Sequence, residues 1–264
     1  MLKILIAGKY KPNGHNPIGG LQSWIRTIKK ELERLGHEVY LWQQGDGIAK
    51  SERFDLGILS NIEITNHLRA LCNKTTLISH GIIPAEKPDN SCDKLLFVSE
   101  GVRDHWKMKG GIIRQPIDLD FWKPKNNVKS LVSRFSYRQG ETHCQSVAAA
   151  MGMTYAHIKN HTPENARKFI RQSAVVFATG RAALESMACG VPVVIYDHRK
   201  AYQEPLMGTS YLQQMNHSYS GRGGITPTKE QLQERVEHCI KAGSKRNWIK
   251  YHHDSKKIVK ELIK

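Results

Sequence analysis

The chain has 264 residues, 39% of them hydrophobic and 24% charged, a composition that supports a folded core and excludes a disordered polyelectrolyte. Its 40 Lys and Arg against 24 Asp and Glu leave a formal net charge of +16, with a pI near 9.7. A surplus of that size favours polyanionic partners, either nucleic acid or an anionic membrane surface, although charge runs also serve simply as solvated helix faces.

The opening residues MLKILIAG are too short an apolar run for a signal peptide, and no run approaches the roughly 18 residues of a membrane span. The expectation is a soluble cytoplasmic protein, in the host cytoplasm if it is viral. The five cysteines, Cys72, Cys92, Cys144, Cys189 and Cys239, are odd in number and scattered, with no pair at metal-ligand spacing. They read as reduced thiols. His252 and His253 are adjacent and would point apart on a helix, so no metal is expected to be required.

In chain order, Lys3 to Ala7 reads as a strand, Gly8 to Gly20 as a loop and Leu21 to Leu35 as a helix ended by a left-handed cap at Gly36. Glu38 to Trp42 supplies a second strand. Apolar runs at Leu56–Leu59, Thr76–Ile78, Leu95–Val98 and Gly111–Arg114 continue the series. The pattern restarts with a strand over Val128–Ser133, a helix over Cys144–Met151, a strand over Thr154–Ile158 and a helix over Pro163–Gln172 with Pro in its first turn. Val175–Ala178, a helix over Arg181–Ala188, and Val193–Tyr196 follow. Ala201 to Thr226 is loop-rich, and Thr228–Lys241 and Trp248–Lys264 read as helices.

Strands alternating with helices imply parallel sheets. Two successive series predict an N-terminal Rossmann-like domain over residues 1–122, a second over 123–243, and a basic C-terminal helix over 244–264 packing back on the first. Ligands in such sheets bind at the carboxyl ends of the strands, so a cleft between the two halves is the expected site.

Gly14, Gly19 and Gly20 precede the first helix. Glycine lets a backbone approach a ligand closely, and a helix N-terminus favours anionic oxygen, so a diphosphate could sit there; the same segment could be merely a turn. It is neither a dinucleotide fingerprint nor a P-loop. The most specific segment is Thr179 to Val194, TGRAALESMACGVPVV, whose small residues let a helix and a strand pack closely.

Here the chain resembles the donor-binding half of the GT-B glycosyltransferases, in particular the retaining group related to sucrose synthase and bacterial mannosyltransferases, as a small member of phage type. The resemblance implies two Rossmann-like domains with parallel sheets facing a central cleft. It implies that Glu185 binds the donor ribose hydroxyls and that amides of Gly180, Arg181 and Ala182 hold phosphate. A carboxylate accepts two hydroxyl hydrogen bonds, and a helix N-terminus stabilises anions, in agreement with those roles. Other segments fall in the same order: KILIAG with Gly19-Gly20, Leu35 to Val39 (LGHEV), Ser79-His80-Gly81, Phe97 to Glu100 (FVSE), Pro116 to Pro124, and Val132, Arg134 and Gly140. The resemblance spans about residues 1 to 197.

The chain departs from the family in two places. The family lysine falls on Gln139, beside Arg138, and the family's first glutamate, eight positions before the second, falls on Phe177. Arg181 could clamp diphosphate instead, through its planar fork. Asp118-Leu119-Asp120 is a DxD, the metal-diphosphate signature of the other major transferase fold, but it lies in the linker.

The resemblance implies a hexosyltransferase that uses a nucleotide sugar, UDP-glucose being the expected donor, with retention of configuration. Negative charge grows on the leaving diphosphate, and Arg134, Arg138 and Arg181 with the Gly19-Gly20 amides are the candidates to stabilise it. His80 would line the sugar site, its alternative being a satisfied core histidine. Three acceptor readings stand: hydroxymethylated pyrimidine in DNA, a saccharide or lipid-linked acceptor at an anionic membrane, or nucleic-acid binding without catalysis.

Overall fold

The computed structural model describes residues 1–8, 19–43, 46–47, 51–60, 66, 68–125, 131–135, 141–159, 161–197 and 206–264. Its contacts divide the chain into two units, Met1–Pro116 with Ser255–Lys264, and Ile117–Asp254. The first is a six-stranded sheet of β1 (Lys3–Gly8), β2 (Glu38–Gln43), β3 (Phe54–Leu59), β4 (Cys72–Ser79), β5 (Lys94–Phe97) and β6 (Gly111–Ile112). The order is β2-β1-β3-β4-β5-β6 with every pair parallel.

A parallel sheet is covered on both faces, which explains why the run Ile4 to Ala7 is continuously apolar and no more than 1% exposed. Ile4 and Ile6 pack with Trp24, Ile28 and Leu32 of α1 (Gly20–Arg34) and with Ile258, Val259 and Leu262 of α9 (Ser255–Leu262). Leu5 and Ala7 face Trp42, Phe54, Leu68 and Leu77 on the other side. Gly36 ends α1 at φ +83°, a left-handed conformation that disfavours any side chain even though the space around it is open. Ser255 fixes the last helix by donating to the buried Glu31 carboxylate at 3.0 Å.

Between β5 and β6, Ser99 caps α2 (Glu100–Trp106) by accepting from the Val102 N–H. Glu100 is held by both Arg114 terminal nitrogens, at 2.5 and 2.7 Å. Burial pushes its carboxyl up, but the Arg114 guanidinium, a backbone hydrogen bond and the Arg103 charge together more than offset this, and the net shift is downward. The motif FVSE is thus a strand end, a helix cap and an ion pair.

The second unit is a five-stranded sheet of β7 (Leu131–Phe135), β8 (Thr154–Ile158), β9 (Ser173–Ala178), β10 (Val193–Asp197) and β11 (Leu206–Met207) in the order β11-β10-β9-β7-β8. All pairs are parallel except β10 with β11. One face is covered by α3 (Glu141–Ala150) and α7 (Lys229–Ala242), which bury Cys144, Val147, Leu232 and Val236 against Val132, Val175 and Phe177. The other carries α4 (Pro163–Gln172), α5 (Gly180–Ala188), α6 (Tyr211–Asn216) and α8 (Arg246–His252), packed on Val176, Ala178, Val193 and Ile195.

Residues 117–122, read from sequence as the end of the first domain, fold with the second. Ile117 and Trp122 are buried in its core, and the Ile117 N–H donates to the His253 carbonyl at 2.7 Å. Arg246 draws the segment in, donating to the carbonyls of Trp122 (2.8 Å), Leu119 (3.2 Å) and Ala188. The helix expected over Trp248–Lys264 is two helices, α8 and α9, broken at His253-Asp254, where the chain pairs with Ile117 and passes from one unit to the other. The loop-rich stretch after Ala201 contains β11 and α6, too short for a periodic signal. Arg246→Met removes one cationic donor from three carbonyls, and is expected to lower stability by about 2 kcal/mol in urea unfolding without changing the far-UV spectrum.

Candidate functional site

In sequence order within its own unit, the second sheet runs 2-1-3-4-5, so the connections from β7 and from β9 leave in opposite directions and on opposite faces. Such a switch point opens a crevice outside the carboxyl ends of the two strands. Arg134 stands at the end of β7, and α5 begins one residue after β9 ends. The topology therefore brings the Arg134 backbone and the start of α5 to the same sheet end, one on each side of the crevice, while the side chains of Arg134 and Arg181 lie on opposite faces.

Arg134 pairs in register with Phe177, which pairs with Val194, so its side chain shares their face. It is 0% exposed, and none of its three guanidinium nitrogens has a hydrogen-bond partner among the described residues. Its guanidinium carbon lies over the ring of Tyr196, 5.6 Å from the ring centroid. Phe177 packs edge-on to the same ring at 5.7 Å. The position to which spacing assigns the family's first glutamate is thus a core aromatic inside a strand.

Thr179, the residue before α5, makes no side-chain cap. Gly180 takes a left-handed φ of +55°, and its N–H donates to the Tyr219 carbonyl at 2.7 Å. Ser218 and Tyr219 are themselves left-handed, both at φ +55°, a conformation costing roughly 1–3 kcal/mol per residue outside glycine. Tyr219 is held there by its hydroxyl, which accepts from Trp248 Nε1 at 2.9 Å and meets His253 Nε2 at 3.1 Å. This strained turn abutting the helix start had no sequence signal beyond the glycines at 221, 223 and 224.

Arg181 and Glu185, one turn apart on α5, are both buried and bond each other, Arg181 Nε to Glu185 Oε1 at 2.8 Å. Burial pushes the Glu185 carboxyl up and the Arg181 guanidinium down; each opposes the shift of the other, and Asp118 also supports the Arg181 charge. The ribose ligand and the phosphate clamp expected from sequence are therefore partners of one another, and Glu185 is not a solvated helix residue. Ala182 follows in the same first turn, half-buried.

Gly19 is the N-cap residue of α1 and Gly20 its first residue, beyond the carboxyl end of β1. His80 follows β4 and lies edge-to-face on the buried Trp24 at 4.9 Å. Gly14, Arg138, Gln139 and Gly140 lie outside the described residues. Asp118 of the DxD turns inward, accepting from the backbone N–H groups of Asp120 and Phe121 at 3.1 and 3.0 Å, as a turn-forming aspartate does. Among the described residues no group of three or more His, Cys, Asp or Glu is placed to hold a metal ion, and no helix is long and apolar enough to cross a membrane. Burial pushes the Cys72 thiol to about 11 and Cys189 to about 12, so neither is a thiolate nucleophile at neutral pH.

No family model matches the sequence. No curated protein matches it. Among solved structures, the crystal structure of MurG from Acinetobacter baumannii is similar over 99% of each chain, at 10% sequence identity and a TM-score of 0.48. So loose a likeness assigns no chemistry.

Breaking the α5 ion pair leaves an uncompensated charge in the interior. Glu185→Ala and Arg181→Ala are each expected to destabilise the protein by about 3–5 kcal/mol, and Arg181→Met with Glu185→Leu together by much less, in a double-mutant cycle of urea unfolding.

Proposed function

We propose that the protein is a glycosyltransferase whose second unit binds the diphosphate of a nucleotide-sugar donor at the crevice between β7 and β9. The observation that carries this reading is Arg134, a fully buried guanidinium with all three nitrogens unbonded at the end of a parallel strand. A diphosphate offers the charge and the acceptor oxygens such a group lacks. The start of α5 adds the positive end of a helix dipole across the crevice. The resemblance of TGRAALESMACGVPVV to donor-binding segments supports the same ligand. Glu185 would give ribose the oxygen not engaged by Arg181, so Arg181 would orient the carboxylate rather than clamp phosphate.

With the Arg181 and Ala182 amides at the helix start, beside a Gly180 N–H already engaged by the Tyr219 carbonyl, Arg134 would stabilise charge on the leaving diphosphate. Arg138 keeps its proposed role at the phosphates, and no metal is required. UDP-glucose is the donor proposed, with retention of configuration. Hydroxymethylated pyrimidine in DNA is the proposed acceptor, because it meets the charge of the whole chain: 21 Lys and Arg against 13 Asp and Glu in the first unit and 19 against 11 in the second leave each with +8.

Two measurements test the proposal. A thermal-shift panel of nucleoside diphosphates should raise the melting temperature of the wild type, and Arg134→Met should lose about a hundredfold in affinity for the best of them. No shift with any nucleotide would refute the donor site. Label from UDP-glucose should pass to hydroxymethylated but not to unmodified DNA. Transfer to a saccharide or lipid-linked acceptor on anionic vesicles instead would refute the DNA acceptor while keeping the transferase, and binding of DNA without turnover of any donor would refute the enzyme.

A further inference from the structure

Three elements of the second unit converge on Arg134: β7 carries it, β10 carries Tyr196, and the first turn of α3 carries His143. Tyr196 is 0% exposed and its ring faces the guanidinium. Its hydroxyl is hydrogen-bonded to His143 Nδ1 at 2.8 Å. Burial pushes the Tyr196 hydroxyl well above the usual phenol range, so the ring stays neutral. A buried arginine is ordinarily held by a carboxylate, which would occupy two of its five N–H groups and cancel its charge. An aromatic face attracts the cation and occupies none of them.

We infer that Tyr196 and His143 are positioning residues: the Tyr196 ring is a platform that holds the Arg134 guanidinium in place with its charge and donors available to a diphosphate, and the His143 hydrogen bond fixes that ring. The inference rests on the diphosphate reading of the crevice. It adds two residues with no counterpart among the site residues the sequence resemblance supplies. The ring and the hydroxyl have separable parts. Tyr196→Phe keeps the cation–π face and loses the anchor; Tyr196→Leu loses both; His143→Ala removes the anchor from the other side.

The test is isothermal calorimetry of wild type, Tyr196→Leu, Tyr196→Phe, His143→Ala and the Tyr196→Phe with His143→Ala double variant, against inorganic pyrophosphate, UDP and uridine. Tyr196→Leu is expected to weaken pyrophosphate and UDP about tenfold and leave uridine unchanged. Tyr196→Phe and His143→Ala should each weaken the phosphorylated probes about threefold, and the double variant no further, since both remove one hydrogen bond. If Tyr196→Leu does not fold, the two anchor variants and their double decide the matter. Additive losses in the double variant, undiminished pyrophosphate binding in every variant, or a uridine loss equal to that of UDP would overturn the positioning role. Wild type binding neither pyrophosphate nor UDP would instead sink the diphosphate reading beneath it.

Discussion

A guanidinium taken out of water with none of its N–H groups bonded carries a desolvation cost on the order of several kcal/mol, and the second unit is built around one. The Tyr196 ring returns about 2 kcal/mol of it. The diphosphate proposed for the crevice would supply the acceptors and the charge that the guanidinium lacks. Where the proposed anion would sit is set by topology: Arg134 lies one residue before the end of β7 on one side of the switch point, and α5, which has no side-chain cap, begins on the other. The cost of Arg134 is borne by the cores of both sheet faces, in which Val132, Val175, Val176, Ala178 and Tyr196 are 0% exposed.

Arg181 meets the same problem with the opposite solution. It lies one helix turn from Glu185 and is neutralised by it, with Asp118 contributing to its field. A paired cation has little free energy to gain from phosphate, because any new bond competes with the carboxylate it already holds. Pairing instead orients Glu185, so that one oxygen is committed and the direction of the other is fixed. Two buried arginines at one sheet end therefore have different capacities, and the difference is read from their partners rather than from their residue type.

Much of the architecture was legible in the sequence because parallel strands buried on both faces are written as continuous apolar runs, as in KILIA and SAVVFA, and helices announce their ends through Gly36 and Pro163. What was not legible depended on contacts distant in sequence. Nothing local to Trp248–Lys264 marks a break, since the break exists to satisfy the Ile117 N–H far earlier in the chain. The Arg181–Glu185 pair has the spacing of any helical ion pair and gains its meaning only from burial. The candidate site was legible as a segment, TGRAALESMACGVPVV, and as Arg134; the roles within it were not, because they follow from which side chains share a face.

Position 177 shows how far counting along a motif can carry. Spacing alone marks Phe177 as a missing carboxylate, and hence a weakened site. In the fold only Thr179 separates β9 from α5, so counting back from Glu185 lands inside a buried strand, on the face that Arg134 occupies. A glutamate there would lie in register with the guanidinium, converting it into a second closed ion pair. Phe177 packs edge-on against Tyr196 and leaves the charge unopposed. Read by its neighbours, the aromatic at this position leaves the Arg134 guanidinium without a carboxylate in register, and under the proposed donor reading the apparent loss of one functional residue serves the role of another.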